Sequence, residues 1–145
     1  MNIILLIHGP NLNFLGRRDP KHYGDITLPK LEMLVKKEAK KYGCVVKCFQ
    51  SNHEGELIDY IQKNAPSAKG IIINPGAFTH YSFALHDALL DAEMAAVEVH
   101  LSSISKRESW RKTSVTAPAC IGQISGKKEK SYLEALALLA KKIKL

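Results

Sequence analysis

Short apolar segments typical of β-strands alternate along this chain with segments of helical periodicity, and this alternation limits its fold most. The strand-like segments are residues 2–8, 44–50, 70–74, 95–99 and 120–125. The helical segments are residues 28–42, 54–64, 81–91 and 130–143, with a short helical turn at 106–112. Regular strand–helix alternation requires a parallel sheet with right-handed crossovers. We therefore expect an α/β fold with a doubly wound five-stranded parallel sheet of order 2-1-3-4-5 and helices on both faces.

Length and composition are those of one packed domain. The 145 residues fit one catalytic domain over 1–145, and 46% hydrophobic against 24% charged residues excludes disorder of the whole chain. The N-terminal apolar run, 3–7, is far shorter than the ~18 residues of a membrane helix and lacks the features of a signal peptide. We therefore expect no membrane association and a cytoplasmic location, with Cys44, Cys48 and Cys120 reduced.

Positive charge is in excess, with 21 Lys and Arg against 14 Asp and Glu. Most lysines fall on predicted helix faces, where solvation explains them, and no aromatic residues alternate with them to stack on bases. Nucleic acid is therefore not the expected partner. Arg17 and Arg18 form one pair and Arg107 and Arg111 another, which favours a small anionic ligand held by planar, bidentate donors.

Polar residues follow three of the predicted strands at their carboxyl ends, the edge where sheets of this kind bind ligands. These segments are residues 9–13 with the long loop to 23, residues 74–80, and residues 98–102 with the arginines that follow. Loops of more than a dozen residues in compact domains are usually functional or disordered. We expect the three segments to share one pocket.

The residue types in that pocket fit acid–base chemistry. Glu98 and His100 are two apart on a strand, so their side chains share a face, and a carboxylate beside an imidazole favours the protonated acid. Tyr23, in a loop with Arg17 and Arg18, is a candidate base because a guanidinium stabilises phenolate. The alternatives are a strand-end histidine that merely bonds its neighbour and an ordinary exposed loop tyrosine.

Other polar residues could bind the ligand. Arg107 and Arg111, four apart on a predicted helical turn, repel each other unless an anion such as a carboxylate lies between them. Asn11 and Asn74 suit a polyhydroxylated ligand or an ordered water, or they cap turns.

A second pair, His80 and Asp87, lies seven apart on one predicted helix face and could hold hydroxyl groups, or form a surface pair. No histidine or cysteine spacing indicates a metal site, and no glycine-rich phosphate loop occurs. The prediction is acid–base catalysis without a cofactor.

At these residues the sequence resembles the type II 3-dehydroquinate dehydratases. The shared motifs are Gly9-Pro10-Asn11-Leu12-Asn13, Leu15-Gly16-Arg17-Arg18-Asp19-Pro20, Tyr23-Gly24, Gln50-Ser51-Asn52, Glu54-Gly55-Glu56, Asn74-Pro75-Gly76-Ala77, Thr79-His80, Glu98-Val99-His100-Leu101-Ser102, Arg107-Glu108 and Arg111. The resemblance implies a flavodoxin-like fold, trimers assembled into a dodecamer, and no cofactor. It also implies reversible dehydration of 3-dehydroquinate to 3-dehydroshikimate in the shikimate pathway of aromatic amino acid biosynthesis.

The resemblance also implies a role for each site residue. Tyr23 is the base that takes the C2 proton, Arg18 holds it as phenolate, and Asn11 positions a water that stabilises the enolate. His100, supported by Glu98, protonates the departing C1 hydroxyl. The substrate-binding residues implied are Asn74 and the backbone N–H groups of Leu101 and Ser102 for the carboxylate, and His80, Arg111 and a neighbouring subunit's Asp87 for ring hydroxyls. Arg107 is expected near Tyr23.

Two segments depart from the family pattern. Residues 102–107 read Ser-Ser-Ile-Ser-Lys-Arg where the family commonly has Ser-Asn-Ile-His-Ala-Arg, and residues 125–132 lack the usual glycine-rich stretch. These changes bear on loop geometry and on packing between trimers.

Two other functions stay open on the residues alone: a non-catalytic flavodoxin-like module that binds a small anionic metabolite, and a nucleic-acid binder that uses its lysine-rich faces.

Overall fold

Five parallel strands form the centre of the molecule, whose computed structural model describes residues 1–145. The strands are β1 (Asn2–His8), β2 (Cys44–Gln50), β3 (Gly70–Asn74), β4 (Ala96–His100) and β5 (Gly122–Ser125). Their order is β2-β1-β3-β4-β5, and every neighbouring pair is parallel. The predicted fold class and strand order are confirmed.

Helices cover both faces of this sheet. They are α1 (Pro20–Tyr23), α2 (Leu28–Ala39), α3 (Glu54–Asn64), α4 (Phe83–Asp91) and α5 (Glu129–Lys142). Successive residues of β1 point to opposite faces, so Ile4 and Leu6 join a core under α2 and α5. Leu5 and Ile7 join a second core under α3 and α4. Near-continuous apolar strands are what a sheet buried on both faces needs.

Several predicted boundaries are wrong by a few residues, and local hydrogen bonds explain two of them. The prediction of a helix over 81–91 is wrong at its start, because the Ser82 hydroxyl accepts a bond from the Leu85 N–H at 3.0 Å and caps α4 at Phe83. The helix predicted over 28–42 ends as a 3-10 turn before Gly43, whose φ of 68° stops it. The four-residue α1 was not predicted.

The segment after β4 differs most from its prediction. Instead of one helical turn over 106–112, the chain makes two 3-10 turns, Ile104–Lys106 and Ser109–Arg111, with Arg107 extended between them. Consequently Arg107 and Arg111 do not share a helix face. No helix in the molecule combines the length and apolar character that a membrane span requires.

The loops that follow β1 and β3 cross in close contact at the carboxyl edge of the sheet. The Gly9 N–H donates to the Asn74 carbonyl at 2.7 Å. A Cβ at Gly9 would lie 2.3 Å from the Pro75 carbonyl oxygen, so only glycine fits there. Across the crossing, Gly76 has a φ of +60° and packs on Pro10. These contacts hold Asn11 and Asn74 at one place on the sheet edge.

Candidate active site

A polar cavity lies at the carboxyl ends of β1, β3 and β4. The predicted site residues that line it are Asn11, Arg18, Tyr23, Asn74, His80, His100, Leu101, Ser102 and Arg111, together with Arg107. No carboxylate lines the cavity. Its three arginines therefore make the cavity a favourable binding site for an anion. No three His, Cys, Asp or Glu side chains converge anywhere in the molecule as metal ligands.

Tyr23 ends α1 with its hydroxyl between two guanidinium groups. Arg18 Nη2 donates to the Tyr23 oxygen at 2.8 Å, and Arg107 Nη1 donates to it at 2.6 Å. The Arg18 guanidinium also lies over the Tyr23 ring, with Cζ 3.7 Å from the centroid. Two charged donors thus meet at one phenolic oxygen, where they can stabilise negative charge. This geometry suits a tyrosine that acts as a base.

The arginines around Tyr23 concentrate positive charge. Burial lowers the pKa of Arg18, the Tyr23 oxygen partly offsets this, and the charges of Arg107 and Arg111 lower it further. Guanidinium groups stay charged despite such shifts, so the cluster attracts an anion or a developing negative charge. Arg17, which the sequence grouped with Arg18, is exposed and does not line the cavity.

The Arg111 guanidinium has a partner that the sequence analysis missed. Its Nε pairs with the Glu108 carboxylate, three residues earlier. The expected repulsion between Arg107 and Arg111 is therefore relieved within the chain, because Glu108 neutralises one guanidinium and Tyr23 engages the other. Both arginines still line the cavity.

Glu98 and His100 leave the same face of β4, as their spacing predicts. His100 Nε2 lies 3.0 Å from Glu98 Oε2, and both side chains are buried. His100 also lines the cavity, and its Nδ1 makes no hydrogen bond within the chain. The imidazole is thus anchored at one nitrogen and free at the other, as a proton donor to a ligand must be.

A cage of neutral donors surrounds the Glu98 carboxylate. The donors, besides His100, are Thr79 at 2.8 Å, Ser114 at 2.9 Å, Gln123 at 2.6 Å, and Thr116. Burial raises the pKa of Glu98, but hydrogen bonds and the charge of His100 outweigh it and lower the pKa to about 2. Glu98 is therefore ionised and fixed in orientation. Sequence reasoning missed this cage, for which the hydroxyl-rich run 113–116 was the only signal.

His80 presents a hydrogen-bond acceptor to the cavity. Its Nδ1 lies 2.8 Å from the Thr113 carbonyl oxygen, which can only accept, so Nδ1 carries the proton and Nε2 has the free lone pair. Burial lowers the pKa of His80, the bond to Thr113 partly offsets this, and the positive charges of His100 and Arg111 lower it further. A neutral His80 can accept a bond from a ligand hydroxyl.

Backbone donors line the wall next to β4. The N–H groups of Leu101 and Ser102 have no acceptor within the chain, and both residues line the cavity. Asn74, the last residue of β3, lines the same cavity. Unpaired N–H groups beside an amide form a receiver for a carboxylate.

Asn11 is held by its backbone, which leaves its side chain free. The residue adopts a left-handed conformation with φ of 69°, which asparagine tolerates. Its N–H donates to Asn52 Oδ1 at 3.0 Å, and Gln50 Nε2 donates to the same oxygen at 3.1 Å. The Asn11 amide lines the cavity and can bond a ligand or a water.

Asp87 is the predicted site residue that lies away from the cavity. His80 precedes α4 in a 3-10 segment (Gly76–His80), so the expectation that His80 and Asp87 share one helix face is wrong. Asp87 is exposed on α4. Phe83 and Leu90, four residues before it and three after, are 68% and 51% exposed. Asp87 thus lies in an apolar patch on the outside of the molecule.

Known proteins resemble this chain over nearly its whole length. Residues 2–140 match the family model described as dehydroquinase class II. The chain is 54% identical over 143 residues to a 3-dehydroquinate dehydratase of Clostridium perfringens, covering 97% of this chain and 99% of that protein. Two crystal structures of type II dehydroquinases superpose with TM-scores of 0.92. One, from Butyrivibrio crossotus, is 45% identical over 95% of this chain and 97% of the other; the second, from Propionibacterium acnes, is 35% identical over 97% of each.

Proposed function

This chain belongs to the class II dehydroquinase family, and we propose that it converts 3-dehydroquinate reversibly into 3-dehydroshikimate and water by acid–base catalysis. One observation carries the mechanism: the Tyr23 hydroxyl, held by two guanidinium groups, and the His100 imidazole, backed by Glu98, open into one cavity. The first group suits proton removal and the second suits proton donation. The family acts in the shikimate pathway, which leads to the aromatic amino acids.

Tyr23 is the base of the proposed reaction. As phenolate it removes a proton from C2 of the substrate, and the electron pair of the broken C–H bond forms an enolate on the neighbouring ketone. Arg18 and Arg107 keep the oxygen anionic before the transfer, because each donates a charged hydrogen bond to it. Asn11 holds a water that donates to the enolate oxygen, a stabilisation of the oxyanion-hole type.

His100 is the acid that completes the dehydration. The enolate expels the C1 hydroxyl, which takes a proton from imidazolium and leaves as water, and the ring becomes a conjugated enone. Ionised Glu98 orients the ring for this transfer through its bond to Nε2. After one turnover Tyr23 has gained a proton and His100 has lost one. Proton exchange with solvent restores both groups, so the cycle needs no other reactant.

Binding groups on the cavity wall orient the substrate. Asn74 and the free N–H groups of Leu101 and Ser102 receive its carboxylate, the only charged group it carries. His80 accepts a bond from a ring hydroxyl through Nε2, and Arg111 donates to another. These contacts bring C2 to Tyr23 and the C1 hydroxyl to His100.

A neighbouring copy of the chain completes the site with Asp87. The exposed apolar side chains of Phe83 and Leu90 beside Asp87 support this contact, since large exposed apolar patches mark interfaces. We place the patch in a trimer, four of which form a dodecamer. Phe83→Glu is expected to dissociate the trimer in sedimentation velocity and to abolish turnover, while Asp87→Asn impairs turnover without dissociation. A fully active monomer would contradict this arrangement.

Turnover tests the proposed function directly. Purified protein treated with EDTA is mixed with 3-dehydroquinate, and the ultraviolet absorbance of the conjugated enone product is followed. A rising absorbance that depends on enzyme concentration is expected. Binding of 3-dehydroquinate without turnover would overturn the proposal and favour an anion-binding module on the same fold.

A further inference from the structure

Tyr132 on α5 does not line the cavity itself but contacts Asn74, a residue of the cavity wall, through one polar atom. Its hydroxyl oxygen accepts a hydrogen bond from Asn74 Nδ2 at 2.8 Å, across 58 positions of sequence. The Tyr132 side chain is completely buried, in the core that α2 and α5 form with the sheet. Burial raises the pKa of Tyr132, with a further rise from the charge of Glu32, so the group is a neutral phenol.

The bond from Asn74 is the only hydrogen bond that the Tyr132 side chain makes. On the same side of the sheet the ring of His8 lies 6.2 Å from the Tyr132 ring, and its polar neighbour is Glu32, whose Oε1 lies 3.3 Å from His8 Nε2. A phenylalanine would fill the same buried space without the cost of burying a hydroxyl. The one property that needs tyrosine here is therefore its contact with Asn74.

That contact fixes which way the Asn74 amide points. The Gly76 N–H donates to Asn74 Oδ1 at 3.0 Å. If the amide were flipped, Nδ2 would take the place of this oxygen, and its N–H would face the Gly76 N–H with no acceptor between them. Nδ2 has two hydrogens, and it donates one of them in a hydrogen bond to the Tyr132 hydroxyl oxygen. The other hydrogen remains for the cavity, which Asn74 lines. Both ends of the amide are thus held, and the second N–H of Nδ2 has no acceptor within the chain.

We infer that Tyr132 is a positioning residue for substrate binding, which holds the Asn74 amide so that its free N–H meets the substrate carboxylate. This inference rests on the proposed role of Asn74 as part of the carboxylate receiver. Without the hydroxyl, one Asn74 N–H loses its acceptor inside a buried site, and only the bond from the Gly76 N–H to Oδ1 still holds the amide in place. The loss falls on binding, because the reacting atoms at Tyr23 and His100 are untouched.

Steady-state kinetics of three variants test the inference: Tyr132→Phe, Asn74→Ala and the double variant. Tyr132→Phe is expected to raise KM for 3-dehydroquinate about 5- to 30-fold, the effect of one lost hydrogen bond, with kcat within about threefold of wild type. Asn74→Ala raises KM at least as much. The double variant matches Asn74→Ala alone, because Tyr132 acts only through that amide. Tyr60→Phe, a tyrosine stacked on Phe49 away from the cavity, is the matched control and leaves KM unchanged.

Each contrary outcome has a distinct meaning. An unchanged KM for Tyr132→Phe, beside a raised KM for Asn74→Ala, overturns the positioning role alone. Effects that multiply in the double variant also overturn it, because they assign Tyr132 to packing. An unchanged KM for Asn74→Ala removes Asn74 from the carboxylate receiver and so refutes that part of the proposed function. If Tyr132→Phe does not fold, Tyr132→Met also removes the hydroxyl while filling the space flexibly.

Discussion

The two halves of the site differ in how the chain holds them. Glu98 and His100 lie two residues apart on β4, are buried, and are fixed by a cage of hydrogen bonds. Tyr23 ends the four-residue helix α1, whereas Arg18 and Arg107 lie outside helices and strands; all three are only partly buried and meet at one phenolic oxygen. The acid half is part of the folded core, whereas the base half is assembled on its surface.

This difference means that the halves fail in different ways. A change in the acid half leaves buried polar groups without partners, so it lowers stability together with activity. A change in the base half leaves its neighbours in contact with water, so activity falls while the fold is undisturbed. Measurements of turnover and thermal unfolding on the same samples therefore distinguish a substitution in the acid half from one in the base half.

Tyr23→Phe should give the largest effect on turnover. It removes only the proposed base, and loss of general base catalysis costs on the order of 10²- to 10⁴-fold in rate. We expect kcat to fall by that amount with KM little changed, because the binding groups remain. Tm should stay within about 2 °C of wild type. Near-normal kcat in this variant would exclude Tyr23 as the base.

Glu98→Gln should reduce turnover less, on the order of 10²-fold, and should reduce stability as well. The glutamine amide is uncharged and cannot stabilise a His100 imidazolium. Its NH₂ group would also face the N–H groups of His100 or Gln123, from which the Glu98 carboxylate accepts hydrogen bonds. The free energy of unfolding, measured by urea denaturation at pH 7, is expected to fall by about 1–3 kcal/mol. Loss of activity at unchanged stability would show that the two halves do not differ as described.

Acid titration sharpens the same test. The folded-state pKa of Glu98 is about 2, below its ordinary value of 4.5, so its contribution to stability is present above pH 4.5. That contribution is lost as the pH falls from about 4.5 through about 2. Wild type should therefore lose its stability advantage over Glu98→Gln within this window, as measured by unfolding at successive pH values. A constant difference between the two proteins across the window would contradict the low pKa.

Arg107→Lys should reduce kcat by roughly tenfold, less than either substitution above. Lysine keeps a positive charge near Tyr23, but its ammonium sits on a more flexible stem and lacks the planar guanidinium whose Nη1 contacts the Tyr23 and Ser102 oxygens. Arg17→Lys is the matched control, since Arg17 is exposed and lies outside the cavity. Equal kinetics of the two variants would show that Arg107 supplies only long-range charge.

Sequence analysis predicted the acid half better than the base half for a physical reason. The side chains of Glu98 and His100 share a face because a strand alternates with a period of two, which is a local rule. Strand order followed from a general property of α/β folds, the doubly wound arrangement that five alternating strands and helices commonly adopt. The contact of Arg107 with Tyr23 spans 84 positions and depends on two 3-10 turns that no periodicity indicated.

Long-range hydrogen bonds account for the rest of what the sequence did not predict. Thr79, Thr116 and Gln123 reach Glu98 from separate segments, and Tyr132 reaches Asn74 from the last helix. Their residue types are common in ordinary turns, strands and cores, so nothing local marks them. Asp87 is the opposite case: its helical spacing from His80 proved wrong, the family resemblance assigns it to a neighbouring subunit's site, and within one chain it faces outward.

Ser114→Ala should give the smallest effect of the series. The Ser114 hydroxyl contacts both Glu98 oxygens, at 2.9 and 3.1 Å, and accepts a bond from the Ala117 N–H. Its loss is expected to lower the free energy of unfolding by about 1 kcal/mol, the ordinary contribution of one hydrogen bond. Turnover should fall less than about threefold, because the other donors of the cage still orient the carboxylate. Ser109→Ala, at an exposed position, is the control for both measurements.

The result for Ser114→Ala decides whether the cage acts as a unit or as separate bonds. A small loss of stability with near-normal kcat means that the donors around Glu98 are redundant. The acid half would then tolerate single changes that the base half does not. A loss of kcat as large as that of Glu98→Gln means that one hydroxyl sets the carboxylate's orientation toward His100. In that case burial would protect the acid half no better than the open assembly of arginines protects Tyr23.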